Sequence, residues 1–183
     1  MDNIKLFFSL DGRIRRTLWW LGLLGVFIVT IGLVFLSAAF GLGPWGMFQP
    51  LDSQTAQSFA DQTASLRWYG FALTLLLAYP YYAISIKRRQ DHGSKGIDVK
   101  IFAGLALAMS LWGATGLGFI VQEIPLPRTD VVLKVQVPPM LYNTANALVG
   151  LFGLYLGIML GFVRGTKGPN AYGEDTVRPK PAA

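Results

Sequence analysis

The run Leu18 to Phe40, LWWLGLLGVFIVTIGLVFLSAAF, decides the fold, because no residue between Arg16 and Asp52 carries a charge. A helix needs about 20 mostly apolar residues to cross the hydrocarbon of a bilayer, and this run is long enough. The competing reading is a secretory signal peptide, since a basic segment precedes the run and Ser37 and Ala39 offer small residues at a cleavage spacing. The apolar region of a signal is typically about 7–15 residues. This one is longer, is flanked by Trp19 and Trp20, and is followed by three more charge-free stretches, so an uncleaved first span is expected.

Those stretches are Trp68–Ile86 before Lys87, Ile101–Gln122 between Lys100 and Glu123, and the segment between Lys134 and Arg164, where Pro138 and Pro139 mark a helix start near Met140. The expected spans are 18–40, 67–86, 101–122 and 140–163. The fold class that follows is an all-α membrane protein, a four-transmembrane-helix bundle in a single domain over 1–175, with 176–183 a disordered tail. Composition agrees: 52% of the 183 residues are hydrophobic and 14% are charged, against about 25% charged in soluble domains. Mean hydropathy is +0.44. With no cysteine and one histidine, His92, the chain excludes disulfides, thiolate chemistry and multi-histidine metal centres. No cofactor is expected.

Lysine and arginine placement orients such a protein, the cytoplasmic side being the basic one. Of the 16 basic residues, all but Arg67, Arg128 and Lys134 lie in the N-terminal arm, the loop after the second span, or the tail. Both termini are therefore expected in the cytoplasm. The formal charge of +6 is mainly an orientation signal, and without a recognition motif it does not point to nucleic acid. Trp19, Trp20, Tyr81 and Tyr82 toward one boundary, and Trp68, Tyr69 and Tyr142 toward the other, fit aromatic belts.

Within the spans, Gly153, Gly157 and Gly161 recur every four residues, and Ala106, Ser110, Ala114 and Gly118 do likewise in the third stretch. Such stripes let backbones approach closely, so the third and fourth spans are expected to pack through them, or a homo-oligomer to form there. Pro80 interrupts the second span. With Arg67 only at the edge of the second, no ionisable side chain lies inside the apolar stretch of any span, which argues against ion pathways and proton relays. Asn143 and Asn146 are more readily read as bonding to loops or neighbours than to a substrate. Between the spans, a short helix from Ser53 after a Gly43-Pro44 turn is expected. Alternation of Val131, Leu133, Val135 and Val137 predicts an extended strand or hairpin arm.

Three segments at the basic ends carry the remaining signal: FFSLDGRIRR from Phe7, KRRQDHGSKG from Lys87, and RGTKGPNAYGED from Arg164. In this order, each beside a span, they resemble the YhaH-like bacterial inner-membrane family, catalogued as domain of unknown function 805. That family shows F-x-G-R-x-x-R, then R-R-L-H-D-x-G-x-S-G, then G-x-x-G-x-N-x-Y-G-x-D-P. The first matches at Gly12, Arg13 and Arg16. The second matches at Lys87, Arg88, Asp91, Gly93 and Gly96, and the third at Gly165, Gly168, Asn170, Tyr172, Gly173 and Asp175. The loop histidine of the family is Gln90 here, Arg89, Lys95 and Thr176 replace leucine, serine and proline, and His92 falls on a variable position. The resemblance implies a small multi-span inner-membrane protein and brings no activity with it.

Three readings of this cluster follow. Gly12, Arg13, Arg16, Arg88, Asp91, Gly93, Asn170, Tyr172 and Gly173 could form a polar latch holding helix ends together, with Asp91 accepting arginine bonds. The surplus cations could instead bind anionic lipid headgroups. A catalytic Asp91–His92 pair is the weakest reading, because no accompanying catalytic motif is present. The expectation is a non-enzymatic structural or accessory protein of the bacterial inner membrane. It would act through the lipid bilayer or a membrane-protein partner, and an oligomeric transporter or channel subunit is the alternative.

Overall fold

A computed structural model describes residues 3–40, 53–125 and 132–175. The Gly43-Pro44 turn, Val131 and the tail 176–183 lie outside them. The elements in chain order are α1 (Asn3–Phe8), α2 (Arg16–Ala39), α3 (Ser53–Asp91), α4 (Ile97–Thr115), β1 (Ile120–Pro125), β2 (Val132–Val137) and α5 (Met140–Gly161). Four helical segments are long and apolar enough to cross a membrane: Arg16–Ala39, Ser65–Asp91, Ile97–Thr115 and Met140–Gly161. At about 1.5 Å per residue, even the 19-residue α4 reaches about 28 Å, close to the hydrocarbon thickness of about 30 Å.

Three differences from the sequence reading have physical causes. The third span ends at Thr115, because Gly116 and Gly118 adopt φ of +64° and +77°, a left-handed backbone that stops a helix. The residues that follow pair as a strand, so the molecule is not purely helical. β1 and β2 form an antiparallel hairpin in which Ile120 faces Val137 and Pro125 faces Val132. Finally, the expected short helix from Ser53 is continuous with the second span, as one 39-residue helix containing Pro80. Having no N–H, Pro80 leaves the Leu76 carbonyl without its intrahelical donor.

The chain divides into two compact units, and each long helix contributes a segment to both. The first comprises the described residues up to Thr30, Leu76–Ala106, and those from Val149 onward. Its core is Leu6, Ile14, Trp19, Ile84, Ile86, Val99, Leu156 and Leu160, flanked by Phe7, Phe102 and Phe152. α1 is thus folded onto the helices: Leu6 is buried, and Tyr79 donates to the Phe8 carbonyl at 3.0 Å. The glycine stripe does not form a single groove. A Cβ at Gly153 would meet the Phe102 ring at 3.0 Å, and one at Gly161 would meet Trp20 at 2.6 Å and Trp19 at 3.1 Å. A Cβ at Gly157 would meet nothing within 4 Å. Gly153 and Gly161 are therefore seats for aromatic rings from α4 and α2.

The second unit comprises the described residues within Ile31–Leu75 and Leu107–Leu148. Here Tyr142 packs edge-on against Trp112 and Phe119, with ring centroids 5.4 and 5.3 Å apart. Gly113 leaves room for the Tyr142 hydroxyl. Arg67 stacks over Phe119 and donates to the Gln136 side chain, tying α3 to β2. The side chains of Asn143 and Asn146 are exposed. Large apolar side chains are exposed along the helices of both units, among them Leu21, Phe27, Phe35, Leu76, Leu151 and Leu154, as surfaces facing acyl chains would be.

Candidate functional site

The chemistry-bearing residues gather where α3 and α5 end, within the first unit. α3 terminates in a Schellman motif: Ser94 N–H donates to Arg89 O at 3.1 Å and Gly93 N–H to Gln90 O at 2.9 Å. Gly93 sits at φ +74°, the position after the cap where a side chain would clash. A helix C-terminus leaves carbonyls unpaired and carries roughly half a negative charge. Two such ends converge here, and nearly every polar group of the site addresses one of them.

Arg88, 1% exposed, serves α5. Its Nε donates to Leu160 O at 2.8 Å, its Nη2 to Val163 O at 2.5 Å, and its Nη1 to the Asp91 carboxylate. Trp20 Nε1 donates to Gly161 O at 3.2 Å and His92 Nε2 lies 3.2 Å from Val163 O. The α3 end is served by the tail. Both Thr166 N–H and Thr166 Oγ1 donate to Asp91 O at 2.9 Å, and Asn170 Nδ2 donates to Gln90 O at 3.0 Å. Gly165 allows this approach, since a Cβ there would lie 2.5 Å from Asp91 Cγ.

Arg13 joins the N-terminal segment to both. Its Nε donates to Asp91 Oδ1 at 3.1 Å, Nη1 to Gly168 O at 2.7 Å and Gly173 O at 3.2 Å, and Nη2 to Thr166 O at 2.8 Å. Gly12, at φ +104°, turns the chain just before it. Lys87, fully buried, repeats the pattern on α1 by donating to Lys5 O at 2.5 Å and Leu6 O at 2.6 Å. Arg89 pairs with Asp98 at 2.6 Å, fastening α3 to the first turn of α4.

The structure therefore brings together Gly12, Arg13, Arg88, Asp91, Gly93, Asn170 and Gly173. Arg16 is exposed and reaches only Phe162 O, at 3.5 Å. Tyr172 joins through its backbone, its N–H donating to Asn170 Oδ1 at 2.9 Å. Lys87, a motif match, and Thr166 are also central, and side-chain pattern does not place either in the latch because the groups they address are main-chain carbonyls. In sequence, one carboxylate facing two arginines reads as surplus positive charge, whereas carbonyls at the α5 end occupy the Arg88 guanidinium and tail carbonyls occupy that of Arg13.

Beside the latch lies a cavity of about 830 Å³, lined among others by Arg15, Arg16, Thr17, Arg164, Lys167 and Glu174. Arg15, Arg164 and Lys167 are exposed there. Burial, reinforced by the positive Arg88, pushes the His92 pKa below its ordinary value, so the ring is neutral at pH 7 and Nε2 can carry the proton given to Val163 O. Among the described residues, no three His, Asp or Glu side chains converge as a metal would require.

A family model described as "Protein of unknown function (DUF805)" matches residues 7–174, a range that contains every member of this latch from Arg13 to Gly173. No curated protein and no solved structure matches the chain.

Proposed function

The chain belongs to the DUF805 family, and from that premise we propose that it is a multi-pass protein of the bacterial inner membrane with both termini in the cytoplasm. Its role is that of a non-enzymatic structural or accessory component, working through lipid or protein partners at its basic end. One observation carries the reading: the Arg13–Asp91–Arg88 network ties the N-terminal segment, the α3–α4 turn and the tail into one buried cluster. Segments so tied share a side of the membrane, and they hold 13 of the 16 basic residues, which the positive-inside bias assigns to the cytoplasm.

The physics of the bilayer explains why a latch is useful. Apolar helices gain no hydrophobic stabilisation from associating in lipid, so polar fastening at the helix ends fixes their arrangement. The chemistry also favours a non-catalytic reading. The Asp91 carboxylate is saturated by two guanidinium groups, and His92 is turned to a main-chain carbonyl, so these neighbours do not act on one proton. The alternative is an oligomeric transporter or channel subunit; the cavity lined by Arg15, Arg164 and Lys167 at the basic end supports the accessory reading instead.

Because the chain lacks cysteine, single substitutions report topology cleanly. In intact spheroplasts, Thr129→Cys is expected to react with a membrane-impermeant maleimide and Ser94→Cys only after permeabilisation. The reverse pattern would overturn the orientation.

A further inference from the structure

We propose that the cavity beside the latch binds the phosphate of an anionic phospholipid headgroup. This inference rests on the membrane reading above. The latch consumes Arg13 and Arg88, but Arg15, Arg164 and Lys167 line or border the cavity, are exposed, and have no ion-pair partner among the described residues. Arg16 has only its 3.5 Å contact. Three acids also face the cavity. Asp91 is held by two arginines, Asp175 accepts Gly168 N–H at 2.9 Å, and Glu174 is exposed. Positive charge therefore remains in excess. Thr17 adds a hydroxyl in the first turn of α2, where Leu18 and Trp19 N–H already donate to Arg15 O at 3.0 and 3.1 Å and only the N–H groups of Arg16 and Thr17 precede that bonding; the turn contains no acidic side chain.

Position selects the source of the phosphate. Arg16 bonds the carbonyl of Phe162, and the exposed Phe162 ring packs edge-on against the exposed Trp20 ring at 5.7 Å. Leu21 and Leu24, also exposed, continue along α2. The cationic cavity thus adjoins the end of an apolar surface, where a headgroup phosphate meets its acyl chains. A volume of about 830 Å³ accommodates a headgroup, leaving the chains outside along α2. Its size also lies in the usual range for small-ligand sites, about 300–1,000 Å³.

The test is retention of phosphatidylglycerol by the full-length protein released from nanodiscs of equal phosphatidylglycerol and phosphatidylcholine, read by native mass spectrometry. Each cation near a membrane surface contributes roughly a fivefold factor in anionic-lipid affinity. Arg164→Gln/Lys167→Gln should therefore weaken retention by about 25-fold, and Arg164→Lys/Lys167→Arg should restore it. Lys95→Gln/Lys100→Gln removes the same charge from exposed positions outside the cavity lining and should change retention less than about threefold. Equal loss in both neutralised variants would reduce the site to diffuse surface charge and overturn the proposal, as would no loss in either. Displacement of the lipid by submillimolar glycerol phosphate would assign the site to a soluble phosphate and overturn the lipid source. Both nanodisc leaflets have one composition, so a failure here leaves the cytoplasmic orientation standing, and a failed labelling experiment leaves this result intact.

Discussion

Replacing Arg13 by lysine keeps the charge, and with it the orientation signal, while removing the shape on which the latch depends. The Arg13 guanidinium reaches Asp91 with Nε, Gly168 and Gly173 with Nη1, and Thr166 with Nη2. A lysine ammonium is a compact point with three donors, not a planar fork with five. It can face the carboxylate or the tail carbonyls, but it cannot span both sides. If it keeps Asp91, at least two tail bonds are lost, each worth about 1.5–3 kcal/mol for a charged donor. These carbonyls are only partly buried and water replaces some of the loss, so the lower end applies: about 3 kcal/mol. That corresponds to roughly a hundredfold rise in tail opening. Hydrogen exchange of peptides covering 164–175 in detergent reads it, most directly at Thr166, whose amide donates across to Asp91 O, and then at Gly168, Asn170 and Gly173, whose amides donate within the tail. Arg13→Lys should accelerate their exchange about a hundredfold and Arg15→Lys should leave it unchanged. Exchange within threefold of wild type in Arg13→Lys would refute the latch.

Further outcomes follow from the same geometry. Asp91→Asn leaves Arg13 and Arg88 buried without their counter-charge and should cost about 3–5 kcal/mol in detergent unfolding. Gly165→Ala should destabilise strongly, since its Cβ would enter the Asp91 carboxylate, whereas Gly157→Ala should leave thermal stability unchanged because nothing lies within 4 Å. His92, whose folded pKa is depressed by burial, contributes stability that is full above the ordinary value of about 6.5 and is lost as pH falls through the folded pKa. His92→Gln should accordingly flatten the slope of stability between pH 7 and 5, and an unchanged slope would remove His92 from the pH response.

Charge exclusion was legible across the whole chain, because a single charge inside a span is costly wherever it falls, and this located the four long helices. It could not locate the end of α4, since Ile120–Gln122 is as uncharged in a strand as in a helix, and the signal that separates them is the left-handed backbone at Gly116 and Gly118. The motif residues of the three basic segments come together in the structure, with Arg13, Arg88 and Asp91 at the centre. What side-chain arithmetic missed was the acceptor set. Main-chain carbonyls at the ends of α3, α5 and α1 are anonymous in sequence, so the motif match marks Lys87 without showing what it binds, and nothing marks Thr166. The glycine spacing marks a helix face without naming what meets it: Gly153 faces Phe102 of α4, and Gly161 faces Trp19 and Trp20 of α2, side chains that arrive from elsewhere in the chain.

The tail docking described above also imposes an order on synthesis. Arg88 and Asp91 are three residues apart and can meet as soon as α3 emerges, but the Thr166 groups that close over Asp91 lie 75 residues later. At about 5–20 residues per second, the half-built cluster waits roughly 4–15 s for its last acceptors. A chain released before Leu160 would hold Arg13 and Arg88 with most of their carbonyl partners missing, a molecule whose incompleteness is recorded as unsatisfied charge. The segment 164–175 thus closes the cluster last, and until it docks the Arg13 guanidinium lacks its three tail carbonyls.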